Sequence, residues 1–150
     1  IFMGAGSFAI ILLMWRDGQS ATRIADLQGL SRTHPMLALG LMIMMFSMAG
    51  IPPLAGFFGK WYVFLAAVNA GFVPLAVVGV VMSVVGAFYY LRIVKIMYFE
   101  ETDEPLDTDI PTANKMVLGV SIAVILLFFL GLSPLLDAAN VAATALMTQL

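Results

Sequence analysis

The 150-residue sequence contains no cysteine, only one histidine and few charged residues. The lack of cysteine excludes disulfide bonds, thiolate metal sites and cysteine nucleophiles, and a lone histidine gives no basis for a transition-metal site. Asp, Glu, Lys and Arg make up 11% of the chain, whereas soluble domains average about 25%. Neither a glycine-rich phosphate loop nor a basic patch with interleaved aromatics is present, so we expect no nucleotide or nucleic acid to bind.

Apolar residues, in contrast, account for 62% of the sequence, which is more than one globular core of this size can bury. We therefore expect an all-α fold, a polytopic transmembrane helix bundle in which residues 1–150 form a single membrane domain. The apolar runs predict spans at about 1–15, 35–70, 72–99 and 112–132, with a tail helix at 135–150. A span needs about 20 residues, so the run 1–15 predicts the end of a helix in the C-terminal part of a longer protein.

A polar segment, residues 16–34, connects the first two spans. Three apolar residues within it recur at helical spacing: Ile24, Leu27 and Leu30. This pattern predicts a short amphipathic helix on the membrane surface, capped by Ser20 or Thr22 and ended by Gly29. A second polar segment, 100–111, is acidic and is expected to be a solvated loop.

The stretch "SMAGIPPLAGFFGKWYVF", residues 47–64, interrupts the second apolar run with helix-breaking residues. Pro52 and Pro53 lack N–H groups and disfavour a helix before them, while Gly50 permits unusual dihedral angles. The run 35–70 is therefore either two crossings or one crossing broken near residues 50–54. Irregular backbone at membrane depth must be buried in protein or line a wet cavity.

Charge placement discriminates between these two topologies. Six cations flank the spans: Arg16, Arg23, Arg32, Arg92, Lys95 and Lys115. Two crossings would divide them equally between the two sides, whereas one broken crossing places all six on one side. The positive-inside rule then favours the broken helix and puts segments 16–34 and 100–111 in the cytoplasm.

Lys60 is the only charged residue between Pro35 and Arg92. It is expected roughly 13 Å from the outer end of the second half-helix. A charged lysine at a helix centre costs about 2.5–3.5 kcal/mol on insertion scales and is by default a functional candidate. Desolvation disfavours the ammonium, while the carbonyl end of the first half-helix stabilises it. Such opposed influences can hold an amine near the point where it gains or loses a proton, so Lys60 is the candidate proton relay. The alternative is a structural lysine paired with a carboxylate or a carbonyl.

Other polar residues are weaker candidates. Those that could line a polar path are Ser47, Tyr62 and Ser83, although serines in membrane helices more often bond a nearby carbonyl or pack closely. His34 is expected to be an interfacial residue, and Asn69 to end a helix. Arg92 and Lys95 are expected to be interfacial anchors, with a docking role as the alternative.

The sequences "IADLQGLSRTHP", "HPMLALGLMIMMFSMAGIPPLAGFFGKWYVFLAAV" and "VVGAFYYLRIVKIMYFE" resemble one family. The family consists of the antiporter-like membrane subunits of the bacterial proton-pumping NADH–quinone oxidoreductase, respiratory complex I. Lys60 together with "YYLR" is most similar to subunit N. The resemblance is strong over residues 20–100. The core "AGIPPLAGFFGK" alone is shared with Mrp-type cation/proton antiporters.

The resemblance implies a fourteen-helix subunit with inverted repeats, of which this chain is the end. Lys60 matches the lysine of the second broken helix, in a chain of ionisable residues that translocates protons. Such a subunit is part of an enzyme but binds no cofactor; NADH, FMN, iron–sulfur clusters and quinone belong to the rest of the complex. Its implied partners are the other membrane subunits and the lipid bilayer, in the bacterial inner membrane. The alternatives are an Mrp-type antiporter subunit and a membrane scaffold without an ion path.

Overall fold

The computed structural model describes residues 1–12, 14–16, 19–20, 23–101 and 112–147 of the chain. Seven α-helices form in this part of the chain: α1 (Phe2–Ile11), α2 (Leu30–Thr33), α3 (Pro35–Ala49), α4 (Ala55–Asn69), α5 (Val73–Phe99), α6 (Thr112–Leu127) and α7 (Leu132–Met147). Two 3-10 turns, Ile24–Leu27 and Phe128–Gly131, and a pair of two-residue antiparallel strands, β1 (Trp15–Arg16) and β2 (Gln19–Ser20), complete it. The all-α fold class is confirmed.

The helix ends follow from proline and glycine positions. Pro35 stands in the first turn of α3 and Pro74 in the first turn of α5, where a missing N–H leaves no hydrogen bond unmade. Gly50 ends α3 and Gly71 lies between α4 and α5, each with a positive φ that an L side chain rarely adopts. These residues divide the apolar sequence into helices without a polar linker.

Within the described residues, α5 is the one helix that is long and apolar enough to cross a bilayer by itself. α3 and α4 have 15 residues each, or about 22 Å, while the hydrocarbon core is about 30 Å thick. Neither half alone spans that thickness. The discontinuous helix predicted near residues 50–54 is confirmed, since α3 ends at Ala49 and α4 begins at Ala55.

α3 is the central helix, because it contacts α1, α4, α5 and α6. Its buried side chains include Leu37, Leu41, Met44 and Met45. α5 is buried mainly near its C-terminal end, at Ile93, Val94, Ile96 and Met97. There it packs against α3 and the first 3-10 turn, Ile24–Leu27. α4 has no buried residue. The half-helix that carries Lys60 is therefore held by few contacts within this chain.

The segment 16–34 differs from the predicted surface helix. Its helical part is two short pieces, the 3-10 turn and α2, and Gly29 begins α2 instead of ending a helix, with φ 67°. The backbone N–H of Arg23 donates to Asp26 Oδ2 at 2.8 Å and starts the 3-10 turn, whereas Ser20 belongs to β2 and Thr22 lies outside the described residues. Ser20 is therefore not the cap, because hydrophobic spacing does not reveal which polar group pairs locally.

Leu27 and Leu30, two of the three apolar residues at helical spacing in this segment, pack inward, while Ile24 is half-buried. The two leucines are 6% and 1% exposed, and the two pieces contact α3 and α5. Residues 23–34 therefore close one end of the bundle, and Leu27 and Leu30 face protein, not the lipid surface.

The two polar segments meet at that end. Gln28 Nε2 donates to Glu100 Oε2 at 2.8 Å, and Arg32 Nη1 lies 2.7 Å from Glu101 Oε1. Residues 23–34 and 100–101 are thus on the same side of the bundle, as one broken crossing requires. The remainder of the acidic stretch, 102–111, lies outside the described residues.

A close contact between α1, α3 and α6 depends on Gly6. A Cβ atom on Gly6 would lie 2.5 Å from Met44 Cε and 3.0 Å from Ser121 Cβ. The methionine can move, but the serine Cβ is fixed to the α6 backbone. We therefore expect Gly6→Ala to destabilise the protein by about 1–3 kcal/mol, measured as a lower thermal midpoint of the purified whole protein.

The matched control is Gly4→Ala in the same helix, since a Cβ on Gly4 meets nothing within 4 Å. Alanine is the better helix former by about 1 kcal/mol, so this variant should keep or raise the thermal midpoint. Equal midpoints for the two variants would show that the contact of α1 with α3 and α6 is looser than described.

Candidate functional site

The candidate site is the break between α3 and α4. Gly50, with φ 90°, turns the chain at the end of α3, and the N–H groups of Gly50 and Ile51 both donate to the carbonyl of Phe46, at 3.1 Å each. A left-handed glycine with such paired bonds is a common helix C-terminus. The following Pro52 and Pro53, joined by a cis peptide bond, lead to Leu54, which precedes α4.

Lys60 reaches back from α4 to this helix end. Its Nζ donates to the carbonyl oxygen of Ala49 at 2.9 Å. Ala49 is the last residue of α3, where the helix dipole carries partial negative charge that stabilises a cation. Within the described residues no carboxylate pairs with the ammonium, so a backbone carbonyl is its partner.

Gly50 leaves the space that the lysine occupies. A Cβ on Gly50 would lie 3.1 Å from Cδ and 3.3 Å from Nζ of Lys60, which is closer than ordinary van der Waals contact. The same residue therefore ends α3, through its positive φ, and admits the lysine side chain to the carbonyl of Ala49.

Ser47 joins the two half-helices at a second point. Its side chain is fully buried, and Oγ accepts the backbone N–H of Gly56 at 3.1 Å while donating to Met3 Sδ at 3.0 Å. The first N–H groups of a helix have no partner within it, and Ser47 supplies one from the preceding half-helix. The hydroxyl thus connects α1, α3 and α4.

Gly56 makes this junction possible. A Cβ on Gly56 would collide with the backbone carbonyl oxygen of Ser47. Gly56 and Lys60 are four residues apart and therefore lie on one face of α4. That face is held to the end of α3 by a neutral hydrogen bond at Gly56 and by a charged one at Lys60.

The other predicted residues lie away from this junction. Tyr62 is exposed and Ser83 is half-buried in the middle of α5, and neither bonds Lys60 within the described residues. Asn69 is the last residue of α4, and His34 precedes α3. Sequence reasoning did not single out Gly56 or Met3. The signal for Gly56 was its spacing of four residues from Lys60.

Comparison with known proteins identifies the class. The profile of a family described as "NADH:quinone oxidoreductase/Mrp antiporter, TM" matches residues 1–86, which include α1, the broken helix and the lysine. The chain belongs to this transmembrane family.

Within the family, the relatives that we compared are named for one subunit. The chain is 56% identical over 146 residues to NADH-quinone oxidoreductase subunit N of Rhodospirillum rubrum, covering 97% of this chain and 30% of that protein. It is 54% identical over 147 residues to the subunit N of Parvibaculum lavamentivorans, covering 98% of this chain and 30% of that protein. The resemblance to subunit N is confirmed.

A solved structure has a similar fold. A chain of respiratory complex I from Thermus thermophilus with bound aureothin is similar with a TM-score of 0.75 and 28% identity, covering 86% of this chain and 29% of that chain. The chain thus spans about 30% of the length of the relatives it matches.

Proposed function

We propose that the protein containing this chain is a membrane subunit of a proton-pumping NADH:quinone oxidoreductase, and that Lys60 is a proton relay in it. The support is the hydrogen bond of 2.9 Å from Lys60 Nζ to the carbonyl of Ala49 in a chain that is 56% identical to a subunit N. Intramembrane lysines are expensive, and by default they mark an ion path.

The geometry suggests how the relay works. The ammonium is attracted to the partial negative charge at the end of α3, and this attraction weakens when the amine loses its proton. Protonation therefore favours the contact with Ala49, and deprotonation favours release of the side chain. The Ser47–Gly56 hydrogen bond contains no charged group, so the two half-helices stay joined while Lys60 changes state.

In this proposal, the chain supplies one proton relay and no redox site. NADH, FMN, iron–sulfur clusters and quinone are bound by other parts of the complex, and the partners are its other membrane subunits and the lipid. The location is the bacterial inner membrane, with segments 16–34 and 100–111 in the cytoplasm by the positive-inside rule.

Replacement of Lys60 in the whole assembled complex tests the role. Lys60→Met should assemble normally but pump protons at least about tenfold less per NADH oxidised, since a positioned proton-transfer group contributes on the order of 100-fold or more. Lys60→Arg should fail similarly, because arginine keeps the charge but does not release its proton. Proton uptake by inverted membrane vesicles is the measurement.

Lys115→Met is the matched control, because Lys115 is exposed at the start of α6, and pumping should be unchanged. Full pumping by Lys60→Arg would contradict proton release by this residue. A fall in assembled complex that parallels the loss of pumping would instead indicate a scaffold.

An Mrp-type antiporter subunit is the second candidate, because the family description includes both classes. It predicts sodium-dependent proton exchange by the purified protein without flavin or iron–sulfur partners. Co-purification with those partners and no sodium dependence favours the oxidoreductase.

A further inference from the structure

Besides the junction at Lys60, a second polar site lies near the C-terminal end of α5, far from the turn that joins α4 to α5. A groove of about 400 Å³ separates the 3-10 turn Ile24–Leu27 from the last turns of α5. Its lining includes Arg92, Lys95, Ile96 and Glu100 on α5, and Ile24 and Gln28 opposite. The groove thus has cationic, acidic, amide and apolar groups, in contrast to the apolar groove that lies between α4 and α5.

The two cations of this groove have no partner within the described residues. Arg92 and Lys95 are exposed and, three residues apart, lie on one face of α5. Glu100 is bonded to Gln28 at 2.8 Å instead of to either cation. The groove therefore presents two positive charges against one carboxylate that already accepts an amide.

The depth of the cations matches that of lipid phosphates. α5 begins at Val73, and Arg92 is about 28 Å further along the helix, while the hydrocarbon core is about 30 Å thick. Lys95 lies about one turn beyond it. Tyr89 and Tyr90, whose rings are in contact, are at the level where interfacial aromatics concentrate.

An apolar surface leads to the groove from the membrane side. On the α5 face that carries Arg92, the residues four, seven and eleven positions earlier are Phe88, Val85 and Val81. They are 71%, 62% and 56% exposed. A ligand that fits this surface has an anionic head and an apolar tail.

We propose that this groove binds an anionic phospholipid, with its phosphate at Arg92 and Lys95 and an acyl chain along Phe88, Val85 and Val81. Basic pockets beside transmembrane helices are known to attract such head groups. The proposal does not depend on proton translocation by Lys60, so either can fail alone.

The test uses the whole protein in its native assembly, relipidated with phosphatidylglycerol that carries a diazirine on one acyl chain. After irradiation, mass spectrometry should locate the label on residues 81–91. Unlabelled phosphatidylglycerol should compete, whereas phosphatidylcholine and excess inorganic phosphate should not. This competition needs no substitution and cannot be lost through misfolding.

Variants add the second measurement. Each of Arg92→Gln and Lys95→Gln should reduce the labelling about fivefold, while Lys115→Gln, a cation outside the groove, should not reduce it. Equal competition by phosphatidylcholine, displacement by inorganic phosphate, or unchanged labelling of a variant that carries both Arg92→Gln and Lys95→Gln would each overturn the proposal. Absence of saturable labelling, as expected if an acidic protein segment occupies the groove, would overturn it too.

Discussion

Gly56→Ala is expected to disrupt the junction between the half-helices and to lower the amount of folded protein severely. The added Cβ would collide with the carbonyl oxygen of Ser47, which belongs to the α3 backbone and cannot rotate away. Either α4 moves outward or the end of α3 unwinds. Both responses break the bond from Gly56 to Ser47 Oγ, at a cost of about 3 kcal/mol.

The same movement should affect Lys60. Because Gly56 and Lys60 share a face of α4, an outward shift draws Nζ away from the carbonyl of Ala49. The measurements are the yield and thermal midpoint of the purified whole protein, followed by proton uptake by whatever assembles. Loss of pumping in an assembled Gly56→Ala complex would mean that the proposed proton transfer depends on the geometry of the junction, and not only on stability.

Gly59→Ala is the control for this prediction. Gly59 belongs to the same helix, but a Cβ there meets nothing within 4 Å, so the variant should resemble the parent or be slightly more stable. If both substitutions were tolerated equally, the close approach of α4 to Ser47 would be refuted.

The sequence predicted the position of the break well, because its causes are local. Pro52, Pro53 and Gly50 act on the dihedral angles of their own neighbourhood, and no tertiary information is needed to place the interruption. The expectation that the end of the first half-helix faces the lysine also rested on a local fact, the carbonyls that a helix terminus leaves unpaired.

The partners at the junction were not predictable in the same way. The Ser47–Gly56 bond joins the two half-helices between residues that are nine positions apart, and Met3 comes from α1. Serine spacing gives no hint of such partners, so a buried Ser47 was equally compatible with a polar path. The prediction of one surface helix in the segment 16–34 was wrong for a related reason. Its helical pieces have four residues each, which is too short for periodicity to define a helix.

Ser47→Ala should destabilise the protein by about 1–3 kcal/mol, because it leaves the N–H of Gly56 without the buried hydroxyl that accepts it. A second buried serine provides the comparison. Ser7 is 5% exposed and its Oγ has no hydrogen-bond partner within the described residues, so Ser7→Ala removes a polar group that was buried without compensation.

We expect opposite signs for these two serine-to-alanine substitutions in the thermal midpoint of the whole protein. Ser47→Ala should lower the midpoint, whereas Ser7→Ala should leave it unchanged or raise it. Because the chemical change is identical and both sites are buried, helix propensity and lost volume largely cancel in the comparison. A midpoint that falls as far for Ser7 as for Ser47 would show that the hydroxyl of Ser47 is not what holds α4 to α3, and the junction would then depend on the charged contact of Lys60 alone.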